Sequence, residues 1–212
     1  MLEFKLSNQD AAIVPEKGQV QSQSKPIPQL KGRQTMILTY CGVRPTINET
    51  AFIAPNATII GDVEIGAETG IWFGCVIRGD VHEIRIGSRT NIQDLTMVHV
   101  AKGKFGTYIG DDVTIGHSAV IHACTLEDRS FVGMSATVMD GCVIEQGAML
   151  GAGALLAPGK RIPAGELWAG VPARKVRDLT QEEIEFFKVS ADRYADLGQE
   201  YRVTTPDDLK SE

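Results

Sequence analysis

Aliphatic residues recur every sixth position along most of this chain, and few folds tolerate that spacing. The series begins Ile47, Ile53, Ile59, Ile65, Ile71, Ile77. It slips by three residues and resumes at Ile86, Ile92, Val98, then slips by five to Ile109, Ile115, Ile121. One residue is dropped, and Leu126, Val132, Val138, Ile144, Leu150, Leu156 and Ile162 follow, 19 positions in phase. Small residues often hold the fifth place of each hexad (Ala57, Cys75, Thr90, Ala119, Cys142, Ala154), and glycine often follows the aliphatic. A helix of 3.6 residues per turn smears a six-residue period around its cylinder, and 22 glycines at this density are costly there. Short strands joined by tight corners suit the pattern. Three hexads make a triangular coil, each side one short strand pairing in parallel with the next coil about 4.8 Å away. The aliphatics then point inward and stack, and stability is a sum of coil-to-coil contacts.

Grouping hexads in threes starts coils at Ile47, Ile65, Ile86, Ile109, Leu126 and Ile144, with Ile162 opening a partial seventh. The slips, near Val81–Ile84 and Ala101–Tyr108, fall between coils, where corner loops are expected to bulge. Repetition does not fix the hand, and the general crossover rule favours a right-handed coil. The flanks differ. Residues 1–35 are rich in Gln, Ser, Pro and Lys without a period, and read as a flexible extension. The coil domain is expected over 36–177, with Trp168-Ala169-Gly170-Val171-Pro172-Ala173-Arg174 ending the coils as a turn. Thr180-Gln181-Glu182-Glu183 has the form of a capping box, and Ile184, Phe187, Ala191, Tyr194 and Leu197 make an apolar stripe. This predicts a helix over about 181–198 within a terminal segment 178–200, followed by a tail, 201–212.

A net charge of −6 argues against nucleic acid or an anionic membrane as the main partner. No apolar run is long enough to span a bilayer, and no secretory signal is visible. The four cysteines (Cys41, Cys75, Cys124, Cys142) lack framework spacing, which suits reduced thiols in a cytoplasm.

Phasing turns the histidines into columns. Arg78, His99 and His122 each follow the third aliphatic of successive coils, so they stack on one side. Asp94 and His117 each stand two residues after the second aliphatic of their coils and form another column, with Gln93 adjacent. His117 and His122 are separated by a prism corner, up to about 16 Å of extended chain. Ligand nitrogens must lie within about 2.0–2.1 Å of a Zn²⁺, so three imidazoles do not converge within one chain. If the second side of one prism faces the third side of another, His117 meets a neighbour's His99 and His122. A threefold ring achieves this with a contact that closes. Three neutral His leave one position for water, the catalytic zinc pattern. The alternative is three surface or hydrogen-bonded histidines. Arg78 and Asp80 are candidates for ordering contacts around such a metal. Asn91 and Gln93 are candidates for binding a small polar substrate or the water, or for strand and corner hydrogen bonds. Cys75 and Cys142 read as core, and His82, in the first slip, as solvent-facing.

The coils, VIRGDVHEIRIGSRTNIQDLTMVHV, YIGDDVTIGHSAVIHACTL and the ending LWAGVPARKVRDLT together resemble the gamma-class carbonic anhydrase-like family over roughly residues 36–200. The resemblance implies a left-handed parallel β-helix, an exception to the handedness rule, with a C-terminal helix. It also implies a homotrimer with a Zn²⁺ (or Fe²⁺ or Co²⁺) at each interface, held by His99 and His122 of one chain and His117 of the next. Arg78, Asp80 and Asp94 match the family's interface and supporting residues, Gln93 the one beside the metal-bound water, and Asn91 its polar neighbour. The implied reaction is reversible hydration of CO₂ to bicarbonate. Family members with that activity carry a glutamate where this chain has Val81, and another in the loop that here reads Ala101-Lys102-Gly103-Lys104-Phe105-Gly106. Three functions follow for testing: a carbonic anhydrase-like lyase, a hexapeptide-repeat acyltransferase or CoA-thioester-acting enzyme, and a non-catalytic metal-stabilised trimer.

Overall fold

The computed structural model describes residues 36–204; the N-terminal extension expected over 1–35 and the tail beyond 204 lie outside the described residues. The hexads form parallel strands in the expected phase. On the first side Ile47 pairs with Ile65, Ile65 with Ile86, Ile86 with Ile109, and Ile109 with Leu126. On the second, Ile71, Ile92, Ile115, Val132 and Leu150 are successive partners. On the third, Ile59, Ile77, Val98, Ile121, Val138 and Leu156 are. These side chains are almost all fully buried and form one continuous core. The molecule is a left-handed parallel β-helix of about seven turns closed by a single C-terminal helix. A further strand, Met36–Leu38, pairs with Thr58–Ile60 and extends the third side by one coil.

Corners turn on residues in the left-handed backbone region. Leu95, Ser118 and Ser135 occupy equivalent places in successive coils with φ of 63°, 60° and 56°. That conformation costs a non-glycine residue roughly 1–2 kcal/mol. It persists because each such N–H reaches the carbonyl one coil back: Leu95 to Phe73 at 2.9 Å, Ser118 to Asp94 at 2.8 Å, Ser135 to His117 at 2.8 Å. Threonines at the hexads' fifth place satisfy further corner groups, as when the Thr90 hydroxyl donates to Gly110 O at 2.8 Å and accepts from Val113 N at 3.0 Å.

The first slip is not the expected corner loop. Val76–Ile86 is one 11-residue strand running through the corner, paired with Thr58–Ile65 with a register shift between Gly61 and Val63. Two glycines permit this. A Cβ on Gly61 would stand 2.3 Å from Gly79 O, and one on Gly79 would stand 2.4 Å from Asp62 O. The extra residues therefore lengthen a bent strand and join the third side to the first. The second slip is a loop, closed by a bridge between Ala101 and Phe105, with Phe105 against Gly141.

The ending Trp168–Arg174 is more than a turn. Glu166–Ala169 and Arg174–Asp178 form an antiparallel hairpin that finishes the second side. The capping box forms as read: Thr180 Oγ1 accepts from Glu183 N at 3.2 Å, and Glu183 Oε2 accepts from Thr180 N at 2.9 Å. Helix α1 (Gln181–Thr204) then runs back over the second side, past the expected end near 198. Phe187 packs on Phe131, Tyr194 on Trp72, and Gln199 Nε2 donates to Thr50 O at 2.9 Å. Leu197 does not join the buried stripe. It is exposed, and Gly198 takes the inner position, where a Cβ would lie 3.2 Å from Phe52 Cβ.

Candidate metal centre

The β-ladder sets His99 and His122 opposite one another as direct strand partners, one residue beyond the buried Val98–Ile121 pair. The His99 carbonyl is pinned: it accepts from Ala123 N at 3.0 Å and from the Thr107 hydroxyl at 2.6 Å. The rings therefore stand on a rigid support, with centroids 5.2 Å apart. His99 Nδ1 and His122 Nε2 face each other at 3.2 Å. The outer nitrogen of each ring meets a carboxylate. His99 Nε2 lies 3.0 Å from Asp80 Oδ1, and His122 Nδ1 lies 2.6 Å from Asp140 Oδ1. Where both outer nitrogens carry their proton toward the carboxylates, the facing nitrogens present lone pairs to one another, and a proton or a metal ion would then stand between them. Ligand nitrogens at 2.0–2.1 Å from a tetrahedral Zn²⁺ are about 3.3 Å apart, so the donor pair has the span of one tetrahedral edge.

Arg78 stands in the same column and pairs with the other oxygen of Asp80. Partial burial works against the Asp80 charge, but hydrogen bonds from His99 and Arg78, with the Arg78 charge, outweigh it and hold the carboxyl below its ordinary pKa.

The second column forms on a different side. His117 follows Ile115 at the second-side corner; its Nδ1 lies 2.8 Å from Asp94 Oδ2, and the side chain is 41% exposed. Asn91 and Gln93 belong to this side as well, but are buried. Gln93 Nε2 donates to Asn91 Oδ1 at 3.1 Å, and Asn91 Nδ2 to Thr114 Oγ1 at 3.0 Å. The Thr114 hydroxyl meets that of Ser190 on α1 at 3.2 Å. Asn91 is thus tied beneath the helix, and Gln93 is anchored to it. Among the described residues no group of three or more His, Cys, Asp or Glu side chains is gathered as a metal site within one chain. The predicted residues fall into two groups on different sides: Arg78, Asp80, His99 and His122 on the third side, and Asn91, Gln93, Asp94 and His117 on the second.

Sequence reasoning missed Asp140, which contacts His122. It follows His122 by 18 residues, one more than the 17 between the strand partners Ile121 and Val138, and so stands one place past the histidine column. His82 is half-buried rather than solvent-facing, with Nδ1 accepting from Glu83 N at 3.0 Å. Cys124 is buried with its thiol pKa raised by desolvation, and does not join the histidines. Val81 packs against the core. The loop at 101–106 exposes Lys102 and Lys104 and holds no acid.

Comparison with known proteins places this geometry. Residues 44–79 match the family described as "Bacterial transferase hexapeptide (six repeats)". Over 153 residues the chain is 48% identical to the "Probable carbonic anhydrase" of Methanocaldococcus jannaschii, covering 72% of this chain and 96% of that one. The chain belongs to the gamma carbonic anhydrase-like family. It is also 54% identical over 160 residues to "Gamma carbonic anhydrase 1, mitochondrial" of Arabidopsis thaliana, covering 73% of this chain; the match spans 58% of that longer relative. A solved structure titled a hexapeptide transferase family protein from Anaplasma phagocytophilum superposes with a TM-score of 0.76 at 52% identity, covering 78% of this chain and 98% of that one.

Proposed function

We propose that this chain is a metal-dependent carbonic anhydrase-like lyase that interconverts CO₂ and bicarbonate at the interfaces of a homotrimer. One observation carries the reading: two imidazole nitrogens on neighbouring coils face each other at 3.2 Å, each ring backed by a carboxylate. Names given to relatives point to the same substrate. His99 and His122 of one chain and His117 of the next would hold Zn²⁺, or alternatively Fe²⁺ or Co²⁺. When bound, such an ion makes water a nucleophile near neutral pH.

The chain's own residues supply the rest. Asp80 fixes the His99 ring, and Arg78 fixes Asp80. Asp94 holds His117 with Nδ1 occupied, which leaves its other ring nitrogen for the neighbour. Gln93, anchored through Asn91 to Thr114, orients the attacking water from the second side of the adjoining chain. The third side supports the ring. Its outward column of Val76, Met97, Val120, Thr137 and Leu155 is mostly apolar, and Met97 and Val120 are 40% and 39% exposed. A second copy covering it would bring His117 to the histidine pair. Among the described residues no helix is long and apolar enough to cross a membrane, and the four thiols are free, which supports a cytoplasmic setting.

Stopped-flow CO₂ hydration on protein reconstituted with Zn²⁺, and anaerobically with Fe²⁺, tests the reading, together with elemental analysis for about one metal per chain. Activity that disappears in His117→Ala supports it. Because the loop at 101–106 offers no acid to carry the released proton, turnover should rise with buffer concentration. The same loop and Val81 favour a second reading, a metal-stabilised trimer without turnover. Full metal content with no hydration under any metal would establish that reading instead.

A further inference from the structure

Asp140 stands outside every motif that marks the family in this sequence. Its carboxylate lies at the corner one coil beyond His122. Ala123, with φ of 51°, makes the turn after His122, and Gly141, with φ of 67°, the turn after Asp140. The Gly141 N–H donates to Ala123 O at 2.8 Å, and Gly159 N donates to the Asp140 carbonyl at 2.9 Å. The backbone at Asp140 is thus tied to the coils before and after it, and the side chain reaches back one strand to His122 Nδ1 at 2.6 Å. Among the described residues the carboxylate makes no other hydrogen bond or ion pair.

The two carboxylates flanking the histidine pair are not equivalent. Asp80 divides its charge between His99 and the Arg78 guanidinium. Asp140 gives its charge to His122 alone. A carboxylate accepting from the outer N–H of a ligating imidazole fixes tautomer and orientation and raises the basicity of the inner nitrogen. Asp80 does this with its charge partly neutralised, and Asp140 with its charge intact.

We propose that Asp140 is a positioning residue for the metal: it holds His122 as the Nδ1–H tautomer, with Nε2 aimed at the point shared with His99, and makes His122 the stronger donor of the pair. The proposal rests on the reading that these histidines bind a metal. It assigns a job to a residue whose other plausible use, stabilising the corner, is already met by the backbone bonds of Gly141 and Gly159.

The test compares wild type, Asp140→Asn and Asp140→Ala at one fixed pH, as assembled full-length protein. Zn²⁺ affinity is measured by competition with a chromophoric chelator, and the Co²⁺ form by its visible absorption spectrum. Asp140→Ala is expected to weaken Zn²⁺ binding by roughly 10–100-fold. Asp140→Asn, which keeps an acceptor oxygen without the charge, should fall between, and both should alter the Co²⁺ bands. Melting of the metal-free proteins and their assembled mass should match wild type. Wild-type affinity and an unchanged Co²⁺ spectrum in Asp140→Ala overturn the proposal and leave the metal reading intact. Wild-type protein that takes up neither ion overturns both. Losses confined to metal-free melting also overturn it, since that is a structural role. If Asp140→Ala fails to assemble, the near-isosteric Asp140→Asn decides by the same two measurements.

Discussion

Among the described residues, helix α1 covers the second side of the prism and no helix covers the third. Both present the same buried aliphatic ladder to the interior. On the outer surface they diverge. Helix α1 lies along the second side, buries Asn91 and Thr114 and packs on Phe131, while Asp94 and His117 stand at the corner beyond it. The third side carries Met97 and Val120 with no helix over them, and His99 and His122 at its edge. The difference teaches how a repeat fold makes a site. A regular ladder aligns identical positions on one side but cannot bend two sides toward one point. Donors on different sides meet only when another prism supplies the missing one.

The largest expected effect breaks that division directly. His117→Ala protein keeps the third-side pair, and His99→Ala/His122→Ala protein keeps the second-side donor. Each alone should lose its metal. Mixed by co-refolding, they should regain it, because every mixed ring holds one interface at which an intact pair meets an intact His117. Metal per chain measured on the separated mixed species checks this. A His117→Ala protein with wild-type metal content would mean that the third donor does not come from the neighbour.

Adjacent residues on the third side sharpen the comparison further. Ile121 points inward and is fully buried, while Val120 points outward. Ile121→Ala should cost about 2–5 kcal/mol of stability, read by denaturant unfolding, because the stacked strands above and below prevent the cavity from collapsing. Val120→Asp should leave the far-ultraviolet spectrum intact, reduce the assembled mass in light scattering and abolish metal binding. A monomer that still binds metal would separate the two halves of the reading.

Much of this was legible because the hexad period ties chemistry to register. Once Ile77, Val98 and Ile121 are in phase, Arg78, His99 and His122 must share a column, and the strand pairing agrees. Elsewhere several signals compete. Met36–Leu38 escaped because a single strand has no neighbouring repeat to reveal its period. The first slip was misread because an insertion into a coil can loop out or extend a strand, and only the Gly61–Gly79 contact decides for the strand. Leu197 fits a helical apolar stripe as well as Gly198 does; contact with Phe52 selects the residue without a side chain. Asp140 lies one place past the histidine column, because a residue is dropped between Ile121 and Leu126, and a side chain's diagonal reach is invisible to a column rule.

A smaller effect belongs to the helix that covers the second side. Thr180→Ala removes the cap on its first turn and should cost about 1 kcal/mol. The reciprocal partner, Glu183, has its pKa lowered to about 2 by the Arg177 hydrogen bond and then by the Thr180 backbone N–H. A folded pKa below the unfolded one means that the stabilisation is present above the ordinary glutamate value and is lost as pH falls from there toward about 2. Glu183→Gln should therefore flatten the acid limb of a melting-temperature profile. The metal content should not change, because the helix start is remote from both groups of candidate residues. An unaltered acid limb would assign the lost stability to other carboxylates.

The smallest expected effect concerns rate rather than energy, and asks which corner opens first. Cys41 is exposed, while Cys75, Cys124 and Cys142 are buried. Burial pushes the Cys75 thiol up to about 12 and raises the other two, so none is a ready nucleophile while folded. An aromatic disulfide reagent should label one thiol per native chain at once and the rest only as the prism opens. Cys75 sits at the corner between the second and third sides, beneath Trp72, on which the helix residue Tyr194 packs. Cys124 and Cys142 line the corner between the third and first sides, which α1 does not reach. If the helix clamps the side it covers, Cys75 is labelled last, and Thr180→Ala brings its rate toward those of the other two. Equal rates for all three buried thiols in the unmodified chain would mean that the coils open together, and that the helix covers the second side without stiffening it.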